Sequence, residues 1–304
     1  MPNEEINKDS LTSSIAITVA TIIIFVMALS GTRGGAEVSS PGGNRASASL
    51  GQAVVSEGDV LPSSGVVLPI IWGDLGARLV KEGVIDASKL EEIYAGRGGL
   101  GEEEKKLLFG DNPDRAKITK DNAPYLLNLL WALGLSSKNP VLDSGEMMSS
   151  GDASNFASTG GWTVSKGSPM DHYSKHKFFD LTSDQQALVG RVSRNIYRPC
   201  CGNSTHFPDC NHGMAMLGLL ELMASQGVSE DEMYKAALAV NSYWFPDTYL
   251  TIATYMQGRG IDWADVSPRE VLGFDYSSGG GFAKIKSAVT KPDSGGASGG
   301  GCSV

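Results

Sequence analysis

The sequence predicts a mainly α-helical protein: an irregular helical domain with Gly-rich joints, preceded by a single N-terminal transmembrane helix. Three observations predict it. Helix-start signatures recur, since Thr182-Ser183-Asp184-Gln185 and Ser229-Glu230-Asp231-Glu232 are capping boxes ahead of apolar runs. Glycine makes up 38 of 304 residues, well above the typical ~7%, as short helices ending at glycine joints require. The run Ile15 to Leu29 is apolar and uncharged, and no stretch elsewhere alternates convincingly over strand length.

The elements follow in order. Residues 1–12 are a short tail. Residues 13–31 match the ~20 apolar residues of a membrane span, and the β-branched Ile22-Ile23-Ile24 suits lipid better than water. An uncleaved anchor is favoured over a signal peptide cleaved after Ala28-Leu29-Ser30, because the leading MPNEEINKDS has more acids than bases. The body is expected on the extracytoplasmic side, single-pass, or secreted if the segment is removed. Residues 32–63, rich in Gly, Ser and Ala, read as a flexible linker. Residues 277–304 read as a flexible Gly-rich tail carrying Cys302.

The helical domain spans residues 64–276. Ile71, Leu75 and Leu79 recur at helical spacing. Lys89 to Ala95 and the acid-led EEEKKLLF are short helices. Pro124 opens the apolar helix ending near Leu135. Glu146 to Lys166 reads as loop. Helices then follow each capping box, over 182–196 and 229–240, with an apolar one over 214–226 between them and another over 247–256.

Composition removes several functions. Lys+Arg 25 against Asp+Glu 34 gives a net charge of −9, which excludes a nucleic-acid coat and a polybasic membrane patch. Four cysteines are too few for a disulfide scaffold. Gly96 to Gly101 fits a dinucleotide fingerprint, but Glu102, Glu103 and Glu104 follow at once and would repel phosphate, so it reads as a loop. There is no Walker lysine and no C-x-x-C-H run, hence no nucleotide and no covalent haem.

The chemistry-bearing residues are concentrated. All four histidines (His172, His176, His206, His212) and three of four cysteines (Cys200, Cys201, Cys210) fall between residues 172 and 212. Thiolate sulfur with imidazole nitrogen suits zinc or copper. Cys200, Cys201, His206, Cys210 and His212 are the leading candidate ligands, His206 and His212 serving alternatively as thiol activators, with His172 and His176 as an i, i+4 pair behind them. Cys210 precedes a predicted helix, whose N-terminal dipole would stabilise its thiolate. The same thiols could exchange disulfides, with Cys302 as a resolving thiol, or Cys210 could form a plain structural disulfide with Cys200 or Cys201 in a non-catalytic interaction module. The partners expected are the membrane, through the N-terminal helix, and a redox or metal-delivery protein.

Residues 182–240 resemble the helical thiol-reductase subunit of cytochrome c maturation systems. The likeness rests on a helix ending at Cys200-Cys201, a second helix over 214–226, and the break Gly227-Val228-Ser229-Glu230-Asp231-Glu232. It implies thiol exchange at the cysteines, although that family spaces them C-x-x-C and here they are adjacent. The run from Arg198 to His212 also resembles a phrase of prokaryotic membrane-anchored proteins, which implies no reaction.

Overall fold

In the computed structural model, residues 55–290 are described, and they are mainly helical. Among them no helix is long and apolar enough to cross a membrane. The predicted span at 13–31 and Cys302 lie outside the described residues.

The first half holds the one departure from all-helical expectation. A short α1 (Glu57–Val60) leads into strand β1 (Val66–Gly73), followed by α2 (Leu75–Lys81), α3 (Ala87–Ala95) and α4 (Glu102–Phe109). Strand β2 (Asn112–Ile118) then pairs antiparallel with β1, Val66 opposite Ile118 and Gly73 opposite Asn112. The helical spacing read through Ile71 is therefore corrected: Ile71 is in a strand and is exposed, while Leu68, Ile70 and Trp72 point inward at period two. Pro69 disfavours a helix interior, and apolar residues on both faces hide the alternation. The register slips beside Ile71, and Gln226 fills the gap. Its Nε2 donates to the Ile71 carbonyl at 2.7 Å, and its Oε1 accepts from the Ile71 N–H at 2.8 Å.

The second half is built around two apolar helices. These are α5 (Ala123–Ser136), with Pro124 in its first turn, and, after the short α6 (Pro140–Asp143) and α7 (Ser183–Ser193), α8 (Asn211–Ser225). Gly134 and Gly218 let α5 and α8 pack backbone against backbone: a Cβ on Gly218 would lie 2.5 Å from the Leu130 carbonyl and 2.7 Å from the Gly134 nitrogen. Every residue of α8 from Gly213 to Ala224 is buried, including Glu221. Helix α9 (Glu230–Trp244) packs across α5 and α8, and both predicted capping boxes form, Thr182 with Gln185 and Ser229 with Glu232.

The described residues close with α10 (Pro246–Gly258), α11 (Pro268–Val271), α12 (Phe274–Ser277) and α13 (Gly279–Thr290). The glycines at 279–281 suggest a flexible tail, yet they open a helix that packs on α10. Ser278 Oγ accepts the Gly281 N–H at 3.0 Å, and Ile285 is buried. The long 144–182 segment is anchored by Trp162, whose ring meets Trp131 edge-on at 4.9 Å and whose Nε1 donates to the Val84 carbonyl at 2.9 Å.

Candidate metal centre

Three cysteines converge in the connection between α7 and α8, against the first residue of α13. After α7 the chain folds back on itself: Tyr197 bridges Ser204, and the Thr205 N–H donates to the Ile196 carbonyl at 2.8 Å. That return places Cys200 and Cys201 at a turn, facing Cys210 at the N-cap of α8. The Gly279 N–H, at the start of α13, donates to the Cys201 carbonyl at 2.8 Å and pins the turn from the other side. The three Sγ atoms lie within 4.8 Å of one another, with Cys200 and Cys210 at 3.6 Å. All three are unbridged thiols, Cys200 being exposed and the other two half-buried.

Arg198 organises this loop. Its side chain is 1% exposed. Its Nε donates to Cys210 Sγ at 3.0 Å, Nη1 to the Asn203 carbonyl at 3.1 Å, and Nη2 to the Phe207 carbonyl at 3.2 Å and to Asp209 Oδ1 at 2.6 Å. Asn203 Nδ2 in turn donates to Asp209 Oδ2 at 2.8 Å. The guanidinium lies flat against the first turn of α8, over Gly213. A Cβ there would come within 2.5 Å of Nη2 and 2.8 Å of Nε, so any side chain would force the guanidinium or the helix to shift.

These contacts set the charge of the cluster. The Cys210 thiol is held well below its ordinary range by hydrogen bonds from Cys200 and Cys201, with help from His212 and Arg198, against an opposing effect of burial. The Cys200 thiol is pushed up, because it serves as donor to Cys201 and Cys210 and is partly desolvated. For Cys201 the bond with Cys200 acts downward, but the bond to Cys210 and burial outweigh it and its pKa rises. Burial alone would lower the Arg198 pKa; the sulfurs of Cys210 and Cys201 outweigh it and hold the guanidinium charged. The resulting picture is one thiolate, stabilised by a buried cation and flanked by two thiols.

No family model matches this chain, and no curated protein or solved structure matches it. The chemistry of the site is therefore argued from its own residues.

His212 sits beside Cys210 and helps to lower the pKa of its thiol, whereas the other three histidines turn to other partners. His212, on the first turn of α8, stacks obliquely on Phe245 at 4.4 Å and edge-on to Trp244 at 5.6 Å, and its buried Nδ1 has no partner among the described residues. His206 turns the other way: its Nδ1 is 3.1 Å from Ser193 Oγ, and burial, then the Arg194 charge, lowers its pKa. His172 and His176 share a face as their spacing predicts, but on a turn broken by Ser174 at φ 50° rather than on an α-helix. Their rings stack, with His172 Nδ1 3.0 Å from His176 Nε2, His172 Nε2 2.9 Å from the Lys166 carbonyl, and His176 Nδ1 3.5 Å from Glu82. That chain of contacts ties the 166–176 turn to the region beyond α2. Within 4.8 Å of one another, the structure groups only the three cysteines among the described residues.

Sequence reasoning gave no role to Arg198, Asp209 or Gly213. The available signal was an arginine two residues before a cysteine pair, with a glycine three residues into the helix that the third cysteine caps.

Proposed function

We propose that this is a membrane-tethered, extracytoplasmic helical protein whose Cys200, Cys201 and Cys210 sulfurs bind a transition metal ion, zinc or copper(I). The observation that carries this reading is the convergence of three sulfurs beside a buried guanidinium. With Zn–S bonds of ~2.3 Å, two sulfurs of a tetrahedral site lie ~3.8 Å apart, close to the 3.6 Å between Cys200 and Cys210. Binding would release the thiol protons of Cys200 and Cys201, and Arg198 with the N-terminus of α8 would offset the added negative charge. The exposed Cys200 suits metal transfer to or from a partner protein. The tether rests on the apolar run at 13–31, and the acidic balance weighs against nucleic acid as a partner.

A second reading is favoured by the Cys200–Cys210 contact and is the one the thiol-reductase resemblance implies. There the Cys210 thiolate and the Cys200 thiol pass two electrons to a disulfide of a partner protein. The pair is oxidised to a disulfide and the partner's disulfide is reduced to one thiol, which takes the proton of Cys200, and one thiolate, which takes its proton from water.

The test is the metal content and free-thiol count of the full chain, purified in detergent under reducing conditions. Metal binding predicts stoichiometric zinc or copper that is lost in Cys210→Ser. Free thiols without metal, and a Cys200–Cys210 disulfide that cycles with a thiol partner, would replace it with the exchange reading. No metal and one inert disulfide would end both, leaving a stapled interaction module.

A further inference from the structure

Away from the cysteines, a cavity of about 930 Å³ opens between α6, α7 and the segment that leads into α7. The volume is in the range of small-molecule sites. Its wall is of two kinds: Val141, Phe179 and Leu181 are apolar, and Lys138, Lys177 and Arg194 are cationic. Against these three cations the wall sets one ionised acid, Asp180. The Glu221 carboxyl beneath the wall is buried, which raises its pKa well above the ordinary value, and its oxygens are sealed from the cavity. It therefore adds neither charge nor contact. In a chain of net charge −9, this wall is a local excess of positive charge.

Arg194 is the cation left over. Lys138 and Lys177 stand on neighbouring stretches of backbone, where the Lys138 N–H donates to the His176 carbonyl at 2.9 Å. Each has an acid beside it, Asp143 at 2.8 Å for Lys138 and Asp180 for Lys177. Arg194 has no acidic partner among the described residues, and its one hydrogen bond runs from Nη1 to the Gly190 carbonyl at 2.8 Å. A Cβ on Gly190 would stand 3.4 Å from that Nη1, so the guanidinium folds back along α7 onto a residue of the cavity wall. Its Nε and Nη2 remain free to donate. His206 lies beside it with Nδ1 taken up by Ser193, and Glu146 acts on His206 from outside the wall. Ser183, Ala187, Gly190 and Arg194 recur at helical spacing, so one face of α7 lines the cavity along its length. That face sets Arg194 at one end, while Phe179 and Leu181 precede the other.

We infer that this cavity binds a small organic anion, a carboxylate on an aliphatic body, with its head on Arg194 and its body along the apolar wall of Val141, Phe179 and Leu181. A carboxylate matches the two free donors of a planar guanidinium, and Lys138 and Lys177 add to the attraction without leaving their acids. The site is separate from the cysteines and stands whether or not they bind metal.

The experiment is thermal unfolding of the full chain, titrated with sodium butyrate and sodium hexanoate against sodium chloride at matched ionic strength. A saturable rise in Tm is expected with each carboxylate and none with hexylammonium chloride. Hexanoate should bind more tightly than butyrate, by up to about fourfold for each further methylene buried. Arg194→Gln should weaken the carboxylate's effect by about tenfold or more, because a charge-assisted pair becomes a neutral contact. Arg194 is exposed and makes one hydrogen bond, so the Tm of this variant without ligand should stay near that of the parent. Ala187→Trp provides a second variant: Ala187 is exposed at the cavity wall, so the indole blocks the space without entering the core. No shift beyond that of sodium chloride, an equal shift with hexylammonium, or a shift retained in both variants overturns the inference.

Discussion

Replacing Gly213 by alanine tests the role of Arg198 without touching a sulfur. In a helix this change ordinarily stabilises by ~0.5–1 kcal/mol. Here the new Cβ would stand 2.5 Å from Arg198 Nη2 and 2.8 Å from Nε, where ~3.5 Å or more is comfortable. Either the helix shifts, at an overpacking cost of ~1–3 kcal/mol, or the guanidinium moves and loses contacts with Cys210 and Asp209. Each charged hydrogen bond lost costs ~1.5–3 kcal/mol. Subtracting the helix gain leaves a net loss of about 2 kcal/mol. For a domain of this size, at ~2–4 °C per kcal/mol, Tm should fall by about 4–8 °C. Gly258→Ala, at the end of α10, is the control, because a Cβ there meets nothing within 4 Å. It should leave Tm unchanged or slightly raised. Denaturation of parent and both variants, followed by circular dichroism, reads the difference. If Gly213→Ala is as stable as Gly258→Ala, the guanidinium is not held against α8 as described.

Three further outcomes are expected. Trp162→Ala should cost ~3–5 kcal/mol in denaturant titration, because it empties a buried site and orphans the Val84 carbonyl. Glu221 has a folded pKa above its ordinary 4.5, so above pH 4.5 the native state keeps a proton that the unfolded chain loses. Stability should therefore fall as pH rises through that window, by up to ~1.4 kcal/mol per pH unit, and Glu221→Gln should remove the slope. His176 shifts the other way: burial, then the His172 charge, lowers it below 6.5, so the unfolded chain gains a proton first as pH drops. Stability should decline as pH falls below 6.5, and His176→Gln should flatten part of that decline, with His206 accounting for another part.

The helices were legible where local chemistry decides them. The capping boxes at Thr182 and Ser229 form as read, and Pro124 and the acids of Glu102 to Glu104 sit in first turns. The β1–β2 pair was not legible. β2 is nearly all polar, β1 is apolar on both faces, and their pairing depends on residues far apart in sequence. The helix at Gly279 was hidden by composition, since glycine signals flexibility unless a neighbour such as Ser278 caps the turn. At the site, spacing drew attention to the right cysteines because a short loop and one helix start bring them together. The partners that set their charge were not visible, since a buried arginine looks like any other in a sequence. Of the histidines, His212 stays beside Cys210, while side-chain direction takes the others elsewhere: His206 bonds Ser193, and His172 bonds His176.

The central claim is that Cys200, Cys201 and Cys210 act together as one ligand set. The most direct measurement is a titration of the reduced protein with cobalt(II), which takes zinc's place and shows a sulfur-to-metal charge-transfer band. The account predicts a band that saturates at one ion per chain, shrinks in Cys200→Ser and in Cys201→Ser, and is weakest in Cys210→Ser. Zinc should displace the cobalt. A charge-transfer band of unchanged intensity in all three serine variants, or none in the parent protein with its thiols free, would contradict it.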